Sequence, residues 1–233
     1  MHEQRLELHG VPVRLMRKNI KNLYIRVKPP AGEVNVSVPL HTSEQRIALF
    51  LEEHWDWIEK KREEVVHRKP VVTPEAEYVT GEVHFLWGEP YELLVERSLK
   101  RPLTELRGEQ IYMRVNEKST KVERGKQLDK WYITKLEEKL SELVPRYETI
   151  VGRQAAEWRF RRMKTRWGTC NIQKARICLN IQLAEKPLAC LEYVVVHELT
   201  HLHEAGHNKR FWGLMDRFYP RWREIKKQMN EGK

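Results

Sequence analysis

Residues 193–212 read YVVVHELTHLHEAGHNKRFW, and this stretch decides the fold. Leu191, Val195, Leu199 and Leu202 recur at steps of three or four, the period of a helix with one buried stripe. On that helix His197 and His201 stand one above the other on one face. Two imidazoles so placed can bind one metal ion. Glu198, one position on, can reach a water at that ion without being a ligand. The HExxH pattern therefore predicts zinc as the cofactor and Glu198 as the group that takes the water's proton. A catalytic zinc commonly takes a third protein ligand and leaves one position open. His207 is the expected third ligand, because 197, 201 and 207 match the first, fifth and eleventh positions of HExxHxxGxxH. That signature has glycine where Glu204 stands here, so the helix is expected to run on to Gly206. Glu204 and Glu224 are the runner-up ligands, and His203 is expected on another face, exposed or behind the ligands.

Upstream, 157–183 reads as a β-hairpin, WRFRRMKTRWG against ARICLNIQLA, with CNIQK between them. Residues 153–176 hold eight Lys and Arg against the single acid Glu157, which makes +7 of the chain's +10. Alternation along the first strand would put Arg162, Lys164 and Arg166 on one face, and these are the candidate substrate-binding cations. Arginine offers paired donors that fit phosphate oxygens, and Arg166 leads the set. Trp158, Phe160 and Trp167, interleaved with these cations, make nucleic acid a further candidate partner through stacking.

The first 40 residues read as strands, LYIRVKPP and EVNVSVPL, joined by Pro29-Pro30-Ala31-Gly32. A helix capped by Ser43 follows, and then a linker over 70–77. Short strands VHFLWG, YELLVER and IYMRV precede a long amphipathic helix over about 126–147, with Pro145 near its end. A last helix carries Phe211, Met215, Phe218 and Trp222 behind an Asn208 cap. No internal repeat is apparent. The expected fold class is α+β: an N-terminal β-rich region over 1–125, then a small zincin-like core over 126–233 with the HExxH helix beside a β-hairpin.

Cys170, Cys178 and Cys190 form no Cys-x-x-Cys pair, which argues against a disulfide framework. No apolar run approaches the roughly 18 residues of a membrane helix, and MHEQRLELHG lacks a signal-peptide core, so a cytoplasmic location is expected. Oligomeric state is not legible.

The segments TRWGTCN, ICLNIQLA and YVVVHELTHLHEAGHNKRFW resemble the YgjP-like family of metal-dependent hydrolases, related to the SprT-like zincins. Arg166, Trp167, Gly168, Cys170, Leu179, Asn180, His197, Glu198, His201, His207, Phe211 and Trp212 stand at the family's motif positions. Thr169 replaces the usual serine, and Gly206 replaces the asparagine before the third histidine. KNLYIRVKP, VNVSVPL and WDWIEKK extend the likeness into the N-terminal part. The resemblance implies three histidine ligands and a metallopeptidase-like core. Three functions compete. One is a peptidase acting on polypeptide, and another is a nucleotide phosphohydrolase (a nucleoside triphosphate pyrophosphatase) using the same zinc. The third is a zincin tethered to nucleic acid.

Overall fold

Val11, Val13 and Leu15 alternate with Pro12 and Arg14, and the strand they form buries the first set only. The computed structural model of the chain describes residues 3–28, 31–67 and 76–231. The turn residues Pro29 and Pro30 and positions 70–75 of the expected linker lie outside them. The chain forms two compact units, residues 1–74 and 75–233.

In the first unit, strands β1 (Glu3–Leu8), β2 (Val11–Lys18), β3 (Tyr24–Lys28) and β4 (Glu33–Pro39) make one sheet in the order β1-β2-β4-β3. Helices α1 (Glu44–Glu53) and α2 (Trp55–His67) follow, and Ile47, Leu51 and Ile58 pack on the sheet's Val13, Leu15, Val34, Val36 and Val38. Ser43 caps α1 by accepting from the Arg46 amide, as its position before the apolar run predicts. The single expected helix is two, broken at His54.

The second unit contains β5 (Val83–Leu86), β6 (Glu89–Arg97), β7 (Leu103–Arg107) and β8 (Gln110–Val115), ordered β5-β6-β8-β7. Helix α3 (Lys121–Val151) starts at a capping box between Thr120 and Glu123 and ends at left-handed Gly152, with Pro145 inside it. The boundary expected at 125/126 falls inside α3. Its Leu128, Tyr132 and Leu136 share one core with Leu93, Ile111 and Met113 of the sheet, which is why residues 83–115 belong with the second unit.

The two four-stranded sheets share one topology. In each, two hairpins meet through a parallel pair, β2 with β4 and β6 with β8. The turns also correspond. Leu8-His9-Gly10-Val11-Pro12 and Leu86-Trp87-Gly88-Glu89-Pro90 both place a ring residue and a glycine at positive φ, 49° and 75° in one, 54° and 89° in the other. The absence of a repeat expected from sequence is thus corrected at the level of topology. The signal was confined to one turn, because the strands share inside–outside alternation and few side-chain identities.

The expected hairpin is also different. Strand β9 (Glu157–Arg161) runs parallel to β11 (Arg176–Asn180), and only the short β10 (Gly168–Asn171) is antiparallel to it. Residues 162–167 leave the sheet as a loop. The reason is Asn180, 2% exposed, which donates to the carbonyls of Met163 (2.8 Å) and Arg166 (2.9 Å) and accepts from the Met163 amide (3.2 Å). With the Asn180 amide also donating to the Trp167 carbonyl, this residue fixes both ends of the loop. After a 3₁₀ turn at 181–185 come α4 (Leu188–Thr200), α5 (Lys209–Phe218) and α6 (Trp222–Glu231). The expected last helix is therefore split, at the Tyr219-Pro220 step.

Candidate active site

Helix α4 is apolar nearly all round and sits in the core, between α3, α5, α6 and the edge strand β10. It ends at Thr200, six residues before the expected stop at Gly206, with His201 as its αR C-cap. The i, i+4 relation survives, and the His197 and His201 ring centroids are 5.0 Å apart. The chain then turns back, and His207 arrives 4.9 Å from His197 and 4.8 Å from His201. One ring nitrogen from each of the three falls within 4.8 Å of the others, and the His207 and His197 Nε2 atoms are 2.9 Å apart. Among the described residues no fourth side chain joins this cluster. Glu224 is ion-paired to Arg221, and Glu204 lies 3.9 Å from Arg210.

The surroundings suit neutral imidazole ligands. Burial, and then the neighbouring His201, His207 and Lys226, push the His197 pKa down to about 3. Burial also lowers that of His207. His201 donates from Nδ1 to the Glu204 carbonyl at 3.1 Å, which leaves Nε2 with its lone pair toward the cluster. His197 Nδ1 is buried without a partner among the described residues, an atom that needs explaining in a folded interior. These donors fit a divalent cation of the zinc type, for which three imidazoles and one open position are a common catalytic set. Phe211, fully buried on α5, lies within 5.0 Å of all three imidazole centroids and floors them. Trp212 stacks on His207 at 5.5 Å and 22°, and Trp222 of α6 stacks on Trp212 at 4.4 Å and 17°.

Glu198 points to the β10 side. It is 5% exposed, and burial, opposed by Arg166, pushes its pKa up to about 8. Its carboxylate occupies the space a side chain at Gly168 would need. A Cβ there would meet Glu198 Oε1 at 2.5 Å, and Gly168 is not at positive φ, so room is what the glycine provides. A cleft of about 510 Å3 opens over the cluster, lined by Arg166, Gly168, Cys170, Tyr193, Glu198 and the three histidines among others. Of the eight cations in 153–176, Arg166 alone lines it. Arg162 instead pairs with Asp129 and stands 3.7 Å from Glu185, and Lys164 is exposed outside the cleft. The shared face expected for Arg162, Lys164 and Arg166 does not form, because the strand ends at Arg161. Trp158, Phe160 and Trp167 pack against the core rather than presenting a stacking surface. His203 donates to the Val151 carbonyl at 2.8 Å, closing the C-terminus of α3.

Two cleft residues escaped the sequence reading. Tyr193 lies one turn before His197 and its pKa is raised to about 12 by burial, so it keeps its proton. The i−4 spacing could have found it. Ile172, 42% exposed in the β10–β11 turn, gave no signal in sequence. The three cysteines are free thiols, as their spacing predicts. No helix among the described residues is long and apolar enough to cross a membrane.

Comparison with known proteins adds a family to the site. No curated protein matches the sequence. Among solved structures, the chain is similar to the metallopeptidase zymogen of Pyrococcus abyssi abylysin. Identity is 23%, the match covers 39% of this chain and 90% of that one, and the TM-score is 0.36. The family model for the YgjP-like metallopeptidase domain matches residues 21–232. With that match spanning nearly the whole sequence, the chain belongs to the YgjP-like metallopeptidase family and is a metal-dependent hydrolase.

Proposed function

We propose that this protein is a zinc peptidase in which His197, His201 and His207 hold the metal and Glu198 is the general base. The observation that carries this is the meeting of three imidazole nitrogens within 4.8 Å beside a buried carboxylate one residue after the first histidine. When bound, zinc supplies Lewis acidity to a peptide carbonyl and eases ionisation of water.

Glu198 does the proton work. Burial makes the Glu198 carboxylate a stronger base than an exposed one, so in its ionised form it can accept a proton from the attacking water and return it to the leaving amine, and water adds across the C–N bond. Tyr193, protonated at neutral pH, can donate a hydrogen bond to oxygen charge developing in the cleft. Among the described residues β10 is an edge strand, which can receive an extended chain through backbone hydrogen bonds. Arg166, the cleft's cation from the basic stretch, would then meet an acidic group of the substrate.

The test has two steps. Metal content is measured on purified protein, and hydrolysis is then followed with unfolded protein and, in parallel, with nucleoside triphosphates, each against Glu198→Gln. Cleavage of polypeptide that Glu198→Gln abolishes is the expected result. Triphosphate hydrolysis with no peptide cleavage replaces the peptidase reading by the phosphohydrolase one. If Glu198→Gln changes nothing, the role of Glu198 is wrong.

A further inference from the structure

The first unit carries a feature that hydrolysis does not use. Strand register places Arg5 of β1 beside Arg14 of β2, Arg14 beside Asn35 of β4, and Asn35 beside Arg26 of β3. These four side chains form one row across the sheet, on the face opposite Val13, Val34 and Val36, which pack under α1 and α2. The three arginines are exposed. Arg5 and Arg14 stand directly opposite each other, and a like-charge pair so placed does not by itself favour strand pairing.

The topology does not require the row, because the second sheet repeats that topology without it. The corresponding register there, counted from the shared turns, is Val83, Glu92, Gln110 and Arg107. The amide and one arginine are retained, and the row's charge falls from three positive to none. Charge is also segregated within the first unit. Residues 3–40 hold seven Lys and Arg against three acids, whereas 43–67, the helical layer, hold four against seven. Glu7 and Glu33 stand in the neighbouring row together with Lys28.

Two further observations point to a ligand. Asn35 is 3% exposed, and its Oδ1 has no hydrogen-bond partner among the described residues. Tyr24, on the same face one row away beside Ser37, is 49% exposed. The row crosses three inter-strand gaps, about 14 Å, which exceeds what one phosphate group can bridge. We infer that this face binds single-stranded nucleic acid. The arginines would meet successive phosphates, Tyr24 would stack on a base, and Asn35 Oδ1 would accept from a base amino group or a ribose hydroxyl.

The test is fluorescence anisotropy of labelled oligouridylate with the full chain. Expected is a log–log salt slope of about −2, roughly 0.7 for each arginine that meets a phosphate. The double variant Arg5→Val/Arg14→Glu installs residues this topology already accepts in the second sheet. It should fold, weaken binding about tenfold or more, and bring the slope to within about 1 of zero. Asn35→Leu should weaken binding while leaving the melting temperature unchanged or higher, since it removes an unpaired buried acceptor; a purely structural asparagine would lower it. The inference is overturned if Arg161→Glu/Lys164→Glu abolishes binding and the sheet variant does not. It is also overturned if duplex binds more tightly than single strand, or if polyglutamate displaces the oligonucleotide at equal charge concentration.

Discussion

Alanine at position 168 should remove most of the hydrolytic rate and little of the bound metal. Its Cβ would lie 2.5 Å from Glu198 Oε1, 2.7 Å from Cγ and 2.8 Å from Cδ. Ordinary contacts begin at about 3.5 Å, so the carboxylate or the strand must move by about 1 Å. Glu198 is 5% exposed and has little room to give way, and β10 is held in register by β11. A misplacement of that size in a reacting group lowers rate by about 100-fold, or roughly 2.7 kcal/mol of barrier. Overpacking should also lower stability by about 1–3 kcal/mol. The atoms nearest the added methyl group all belong to Glu198 and none to an imidazole, so zinc stoichiometry should hold. The assay is kcat and KM on unfolded protein, with zinc measured on the same sample. The loss should fall on kcat, because the base moves and the substrate's binding edge stays. Full kcat with full zinc would refute the placement of Glu198 as the working base.

Asn180→Ala should destabilise the second unit by about 2–3 kcal/mol in denaturant melts, because it leaves the Met163 and Arg166 carbonyls without their donor. Trp212→Ala should weaken zinc binding about tenfold in a chelator competition, since His207 lies on an exposed segment held by that stack. Zinc at about 100 times its dissociation constant should stabilise the wild type by roughly 2.7 kcal/mol, and His207→Ala should lose most of that at the same zinc concentration. Arg166→Ala should raise KM for acidic substrates with kcat little changed, read by comparing acidic and neutral peptides.

The HELTH run was legible because its geometry is local. A helix places residues four apart on one face whatever surrounds it, so His197 and His201 needed no tertiary information. The end of α4 was not legible, since Gly206 is as good a stop signal as the turn that forms after Thr200. The basic strand misled for a similar reason. Alternation over WRFRRMKTRWG continues through Arg166, and nothing local says that Asn180, 14 residues further on, captures the Met163 and Arg166 backbone. The duplicated sheet was hidden because paired strands need only alternation, and many side chains satisfy it.

By itself, then, the sequence determined the helix, the histidine pair on its face, the capping of α1 and α5, and the α+β class, all set by periodicity and by contacts within a few residues. Only the tertiary structure decided that His207 completes the cluster, that Gly168 makes room for Glu198, and that Arg166 reaches the cleft while Arg162 turns to Asp129. Each of these depends on where a loop returns in space. That is set by buried hydrogen bonds and core packing between distant residues, to which no local pattern is sensitive.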